Sequence, residues 1–475
     1  MKIIDVIKLS VFGKLPVPAF SGSANTGTLA ENIFVNVRRT VRHPMTEGAV
    51  LLAGAQYVAA IVGLVTSIVS ARVLGPKDFG LSAVILSYPM LMGSLVALKT
   101  GSITTRYISR LREGRQGDML GSICLLGYGL DFLVSVLALL LTAVTASWVA
   151  ESFFSLPEAA PLMIAFAASF PLWSLYGTSS AILISFQRFR WIGALQILDQ
   201  VIGAILVIGL LLAGFGVRGA VLGTAAGHVL IALIATVAAS RVFYRERSTY
   251  WWRGSFAPVR PLRQEMSGLF GWNYLVVTWA GLIGQVPLMI LAHMRGLEAA
   301  GFYRLATSIV TVGSYLETSM GKVAYPVLSA RWDSDSREQL LRALRRWTIG
   351  AGLPVAAFVL FTLPFYPILV PKIFGAQYSA MVGGVLFLIV GAAASALFFW
   401  LNAFYYASGN VSVWTLGIAL QSTFVIGLGW FVVRLWGFNG MAAVAAIGKV
   451  AFTLVMTVVA CKFASAPKTT EENVS

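Results

Sequence analysis

Charge is scarce in this chain, and negative charge most of all. Only 11% of its 475 residues are Asp, Glu, Lys or Arg, and 35 basic residues outnumber 19 acidic ones. Soluble domains carry about 25% charged residues, so a water-soluble globular fold is excluded. Histidine (3) and cysteine (2) are also sparse. With no paired-Cys or Cys/His ligand spacing, neither a disulfide framework nor a zinc site is indicated, and no metal or other cofactor is expected. Cys124 and Cys461 fall in or at the end of apolar segments, where cysteine behaves as a small core residue. A Walker-type phosphate loop, a His-Glu-x-x-His pair and a placeable Ser-His-Asp set are missing too. No enzyme motif is left.

What the chain has in quantity is apolar length. It is 58% hydrophobic, with a mean hydropathy of +0.81. Runs of roughly 20 apolar residues, enough to cross a bilayer core of about 30 Å, recur along it. The predicted spans are 48–71, 80–98, 119–149, 161–186, 192–214 and 219–240, then 268–292, 302–328, 348–370, 380–406, 411–433 and 440–460. Between the first two spans lies the polar break Ser70-Ala71-Arg72-Val73-Leu74-Gly75-Pro76-Lys77-Asp78-Phe79-Gly80-Leu81. An offset of 221 residues carries Gly75 onto Gly296 and Gly80 onto Gly301. The same offset carries Gly216 and Gly219 onto Gly437 and Gly440, Gly227 onto Gly448, Gln200 onto Gln421 and Thr236 onto Thr457. One ungapped shift that joins both ends of each half indicates a duplicated unit of six spans. Six spans per unit make both halves enter from the same side, as parallel repeats about an axis along the membrane normal.

The predicted organisation is therefore all-α and polytopic, with about twelve transmembrane helices in two lobes. An amino-terminal arm (1–46) precedes the first lobe (47–243), a basic linker (244–267), the second lobe (268–463) and a tail (464–475). The arm has Ile3, Ile4, Ile7 and Val11 at helical spacing, which fits a short helix on the membrane surface. With the amino terminus inside, 26 of the 35 Lys and Arg fall in inner segments and 7 in outer turns, Arg304 being counted among the outer ones. That bias places both termini in the cytoplasm. Trp251 and Trp252 in the basic linker suit an interfacial position against anionic lipid, in preference to nucleic acid. Asp335 and Glu338 have capping-box spacing and open a surface helix with Leu340, Leu341, Leu344 and Trp347 on one face.

The run Ala71-Arg72-Val73-Leu74-Gly75-Pro76-Lys77-Asp78-Phe79-Gly80-Leu81, an apolar span, and then Arg106-Tyr107-Ile108-Ser109-Arg110 resembles the polysaccharide transporter family. These are the Wzx-type flippases of lipid-linked oligosaccharides, in a superfamily with the MATE drug exporters and MurJ-type lipid II flippases. The twelve-span layout extends the resemblance over residues 47–463. It implies a two-lobed V-shaped bundle that carries an undecaprenyl-pyrophosphate-linked repeat unit across the bacterial inner membrane. Its implied partners are the lipid-linked cargo, the bilayer, and a polysaccharide polymerase with chain-length proteins. The amino-terminal 46 residues depart from the pattern, since relatives start their first helix sooner.

An ionisable side chain inside a span is a functional candidate by default, because it is costly unless a cavity or partner receives it. Lys449 and His228 occupy equivalent positions, each nine residues after Gly440 or Gly219 and so about 13–14 Å into its helix at 1.5 Å per residue. One cation from each lobe, facing a shared cavity, suits a pyrophosphate or acidic sugar. The plainer reading is a structural cation paired between helices. Lys322 and Lys99 lie near the inner ends of their spans, at the mouth of such a cavity or snorkelling to headgroups. Asp131, Asp199 and Glu317 either balance these cations or carry a coupling ion. Glu317 and Lys322 are five residues apart and so sit on different helix faces. Tyr57, Trp272, Tyr274, Trp279, Tyr315, Tyr405 and Tyr406 are available to stack on sugars or to pack helices. A MATE-like exporter of small cations, coupled through the carboxylates, is the second reading, and a polymerase or ligase of the same pathway the third.

Overall fold

The computed structural model describes residues 44–98, 100–112, 117–254, 263–334 and 337–465, and among them no strand occurs. The predicted arm helix at Ile3–Val11 lies outside the described residues, as do Lys99 and Asp335. The first lobe begins with α1 (Pro44–Val96), followed by the short amphipathic α2 (Thr100–Arg112) and α3 (Gly117–Trp148). A fourth pass is assembled from α4 (Ala160–Ala167), α5 (Phe170–Trp173) and α6 (Leu175–Ser185). Helices α7 (Phe189–Leu212) and α8 (Gly216–Arg247) complete the lobe. The second lobe holds α9 (Arg263–Arg295), α10 (Leu297–Ser334), α11 (Arg337–Trp347), α12 (Leu353–Phe361) and α13 (Tyr366–Phe374). It ends with α14 (Val382–Leu397), α15 (Leu401–Ala407) and α16 (Val411–Ser465).

Nine stretches of the described residues are long and apolar enough to span a bilayer. Two of them, α1 and α16, each contain two passes joined at a glycine break. Helix α10 completes the set, its apolarity diluted by Arg304, Glu317 and Lys322. The chain is an all-α membrane protein of twelve passes.

The duplication is written in the backbone. Gly75 (φ 74°) and Gly296 (φ 84°) break the chain at equivalent points, as do Gly216 (φ 54°) and Gly437 (φ 55°). A Cβ is strained in this left-handed region, which explains why both copies keep glycine there.

The packing resolves into three large apolar clusters and a small one of Val207, Leu211 and Ala220 within the first lobe, and the three large ones give the molecule its shape. The largest draws on both lobes, joining Phe79, Ile85, Met163 and Phe166 to Leu291, Leu305, Tyr378 and Met441. It lies at the end where Gly75 and Gly296 turn, here called the turn end. At the opposite, linker end the cores separate. Ile108, Leu120, Leu183 and Phe243 form one entirely within the first lobe, and Leu328, Leu344, Phe404 and Tyr405 form another within the second. One shared core at one end and two private cores at the other make a V.

Several contacts hold the turn end shut. A Cβ on Gly80 would sit 1.8 Å from the Leu297 carbonyl oxygen, and one on Gly301 2.3 Å from that of Pro76. The two equivalent glycines thus let the lobes meet backbone to backbone. Beside them Arg72 donates to the carbonyls of Ile373 (2.7 Å) and Lys372 (2.8 Å) in the other lobe. His293, which the 221-residue offset relates to Arg72, places its Nδ1 2.6 Å from the Phe153 carbonyl. The Tyr378 hydroxyl donates to the Ala71 carbonyl at 2.9 Å.

The linker region departs from its expected lipid setting. Trp251 packs against Tyr128 with ring centroids 4.2 Å apart and planes tilted by 34°, and it donates its indole N–H to Ser240 at 2.9 Å, so it fastens the linker to the first lobe. Trp252 is the exposed partner and packs against Tyr250. Helix α11 lays Leu340 and Leu344 into the second lobe's private core.

Candidate functional site

Between the arms of the V, on the first-lobe side, is a cavity of about 290 Å³. Both passes of α1 contribute Thr66, Ser67, Ser70, Ser82 and Ser87, while α7 contributes Asp199 and Gln200 and α8 contributes Thr224 and His228. The second lobe supplies Gln285 from α9 and Arg304 from α10. Small residues make the room, with Gly63, Ala83, Gly203 and Ala204 in the wall. The polar groups of the site are six hydroxyls and two amides, with one carboxylate, one imidazole and one guanidinium, set among glycines and apolar side chains.

His228 is held by aromatic packing. Its ring stacks on Trp173 at 3.9 Å and 3°, and Phe166 lies at 5.8 Å. Its Nδ1 has no hydrogen-bond partner among the described residues. Arg304 is deep within the protein but its side chain opens into the cavity. It forms no ion pair among the described residues.

The remaining candidates lie elsewhere. Asp131 is within the first lobe, accepting hydrogen bonds from the hydroxyls of Thr100 and Thr178 (the latter at 2.7 Å). Lys449 is not in the wall that holds His228; its Cβ lies beside Gly391 on α14, within the second lobe. No ion pair joins it to Glu317 of α10 among the described residues. Lys322 is exposed and donates to Gln56 Oε1 at 3.1 Å, linking the two lobes toward the linker end. The structure therefore brings His228 and Asp199 together in one cavity and leaves Lys449, Glu317, Asp131 and Lys322 outside it. Among the aromatics, Tyr274 and Tyr405 are spent on backbone carbonyls, those of Leu95 and Met456.

Sequence reasoning missed Arg304 and the hydroxyls. Arg304 was grouped with the outer-turn cations because it stands three residues after Gly301. Its position inside an apolar helix was the signal that finds it.

A profile of polysaccharide biosynthesis proteins matches residues 45–332 of this chain. The chain belongs to that family. No protein of curated function matches it in sequence. Among solved structures, an inward-facing multidrug-resistance MATE transporter of the MOP superfamily superposes with a TM-score of 0.70 at 16% identity, covering 89% of this chain and 99% of that one. The lipid II flippase MurJ in an inward closed conformation gives 0.66 at 14% identity, covering 86% of this chain and 87% of its own. A MOP superfamily transporter from Pyrococcus furiosus, described by the reverse polarity of its binding pocket, gives 0.65 at 17% identity and covers 89% and 96%. The family's fold here is that of the MOP transporters, two lobes of six helices each.

Proposed function

We propose that the chain flips a polyprenyl-pyrophosphate-linked oligosaccharide unit across the bacterial inner membrane for polysaccharide export, by alternating access. The observation that carries this reading is Arg304, a second-lobe guanidinium without an ion-pair partner among the described residues, lining one cavity with six hydroxyls. Arginine presents a planar fork of donors that matches phosphate oxygens, and it keeps its charge at any working pH. The hydroxyls suit a sugar, and the polyprenyl tail stays in lipid between the lobes. The linker end is the cytoplasmic side in this reading, consistent with the excess of Lys and Arg there. The turn end then faces the periplasm and is closed. The lobes take up the head from inside, and the same cargo is released after the V inverts.

The test is transfer of a labelled polyprenyl-pyrophosphate oligosaccharide in proteoliposomes, read by a membrane-impermeant reagent at the opposite leaflet. The wild-type chain exceeds protein-free vesicles, and Arg304→Gln lowers transfer about 10- to 100-fold, the worth of one charge-assisted hydrogen-bonded contact at about 1.5–3 kcal/mol. Unchanged transfer in that variant removes the assignment of Arg304. Asp199 in the same wall favours a second reading, an ion-coupled exporter of small cations. Gradient-driven uptake of a cationic dye, with no transfer of the lipid, supports that reading instead.

A further inference from the structure

Asp131 takes no part in the cavity between the lobes, and the second lobe shows that the fold does not need a carboxylate at its position. The 221-residue offset sets Gly321, Thr348, Gly352, Phe399 and Trp400 opposite Thr100, Gly127, Asp131, Thr178 and Ser179. In the second lobe these positions are closed by packing. A Cβ on Gly352 would lie 2.1 Å from the Leu397 carbonyl oxygen, and one on Gly321 3.2 Å from that of Phe399. Trp400 donates its indole N–H to the Thr348 hydroxyl at 2.8 Å. The first lobe has hydroxyls and a carboxylate where its copy has glycines and aromatic rings.

Three helices bring these oxygens together. Thr100, which opens α2, donates to Asp131 Oδ1 on α3, and Thr178 on α6 donates to Oδ2 at 2.7 Å. No Lys or Arg forms an ion pair with Asp131 among the described residues. Thr104, one turn along α2, is only 3% exposed, yet its hydroxyl has no hydrogen-bond partner among the described residues. Gly127 of α3 leaves the adjoining space open: a Cβ there would sit 2.8 Å from Thr104 Oγ1 and 2.9 Å from Thr178 Oγ1. Gly127, Thr100 and Thr104 also border a small cavity of about 10 Å³. Roughly 10–15 Å³ is what one water-sized body needs.

A carboxylate within the membrane is costly without a partner of opposite charge. Thr100 and Thr178 keep two lone pairs each after giving their protons to Asp131, and the carboxylate has lone pairs to spare. Hard oxygens carrying one negative charge suit a cation of charge one, whereas calcium takes six to eight oxygen ligands and magnesium keeps several waters. The small space favours sodium over the larger potassium. We propose that Asp131, Thr100, Thr104 and Thr178 bind one sodium ion inside the first lobe. Thr100 lies five residues past Leu95, whose carbonyl accepts from Tyr274 of α9 at 2.7 Å, beside the Ser94 carbonyl and Thr278 at 3.4 Å. The ion thus fixes the bend from α1 into α2 next to a contact between the lobes. The site does not depend on what the cargo is.

The experiment is equilibrium binding of radiolabelled sodium to the purified full chain in detergent, with choline chloride holding the ionic strength constant. The expected result is saturable binding of one ion per chain, displaced by unlabelled sodium. Asp131→Asn, which keeps the shape and removes the charge, weakens binding at least about tenfold, equal to about 1.4 kcal/mol. Gly127→Ala leaves all four ligands in place and fills the space beside Thr104 and Thr178, and it weakens binding by a similar factor. Thermal unfolding is the second readout, since an ion that binds only the folded chain stabilises it. The wild-type chain unfolds at a higher temperature in sodium than in choline, and the difference disappears in both variants, whose unfolding in choline shows that they are folded. Absence of saturable binding, or binding unchanged in both variants, overturns the site. Binding lost in Asp199→Asn but kept in Asp131→Asn moves the ion to the larger cavity and overturns it as well. Each of these results leaves the flippase reading standing, because that reading is tested by lipid transfer.

Discussion

The two lobes descend from one duplicated unit, yet they are alike at one end of the molecule and unlike in the middle. At the turn end the copies correspond: Gly80 abuts Leu297, where the second lobe's second pass begins, as Gly301 abuts Pro76, where the first lobe's second pass begins, and Arg72 and His293 each reach across the divide to backbone carbonyls. In the cavity the equivalence is gone. Residue 83 is Ala where the second lobe has Arg304, and residue 228 is His where the second lobe has Lys449. Closure of a two-armed bundle demands matching surfaces, whereas the cargo we propose, with two chemically different ends, demands that the surfaces differ. Symmetry has been kept where the lobes touch each other and lost where they face the cavity.

The largest effect should come from breaking the symmetrical end. Gly80→Ala forces a Cβ into a backbone carbonyl that has no flexible side chain to move aside, and overpacking of this kind costs about 1–3 kcal/mol. Gly301→Ala should behave alike, and both should lower the thermal unfolding temperature in detergent and expose turn-end positions to a thiol reagent. A loss confined to one of the two would break the equivalence. Next in size is Arg72→Gln, which removes two charge-assisted bonds worth at the low end of about 1.5–3 kcal/mol because the site is open to water. His293→Gln, with a single bond to lose, should shift the same accessibility measurement less.

At the linker end, Lys322→Ala and Tyr274→Phe each remove one hydrogen bond between the lobes, those to Gln56 and to the Leu95 carbonyl. Each should favour separation of the arms by about 0.5–1.5 kcal/mol, read as a lower yield of cross-linking between cysteines placed there. Cys124 is buried, which keeps its background in such labelling low. The smallest change is Glu338→Ala. Its pair with Arg342 spans 3.4 Å on an exposed turn of α11, so stability should fall by no more than about 0.5 kcal/mol and transfer should be unaffected.

Hydropathy and a single offset were enough to read the twelve passes and the duplication, because a bilayer forces every pass to announce itself as an apolar run. Four of the seven left-handed glycines among the described residues, Gly75, Gly216, Gly296 and Gly437, sit at positions which that offset pairs. The site was less legible. Lys449 and His228 are equivalent in sequence and share a depth, but depth does not say which way a helix face turns. Lys449 instead lies outside the cavity that holds His228, with its Cβ beside Gly391 of its own lobe. Arg304 escaped because a cation three residues past a turn reads as an end-of-helix residue until the packing of α10 against α1 is known. The wall hydroxyls carry no signal at all in one dimension, since a serine bonded to its own helix looks the same whether it faces lipid, protein or a cavity. Trp251 was read as a lipid anchor for the same reason: its partner Tyr128 is distant along the chain.

The backbone contact between Gly80 and Gly301 also sets the mechanical advantage of the molecule. Helix α10 runs for 38 residues from beside that contact to the far end of the V. At 1.5 Å per residue its long arm is about 50 Å, so a tilt of about 5° at the glycines displaces the far tip by roughly 4–5 Å. A short fulcrum with stiff arms turns a small change in how two backbones touch into an aperture on the scale of a sugar ring.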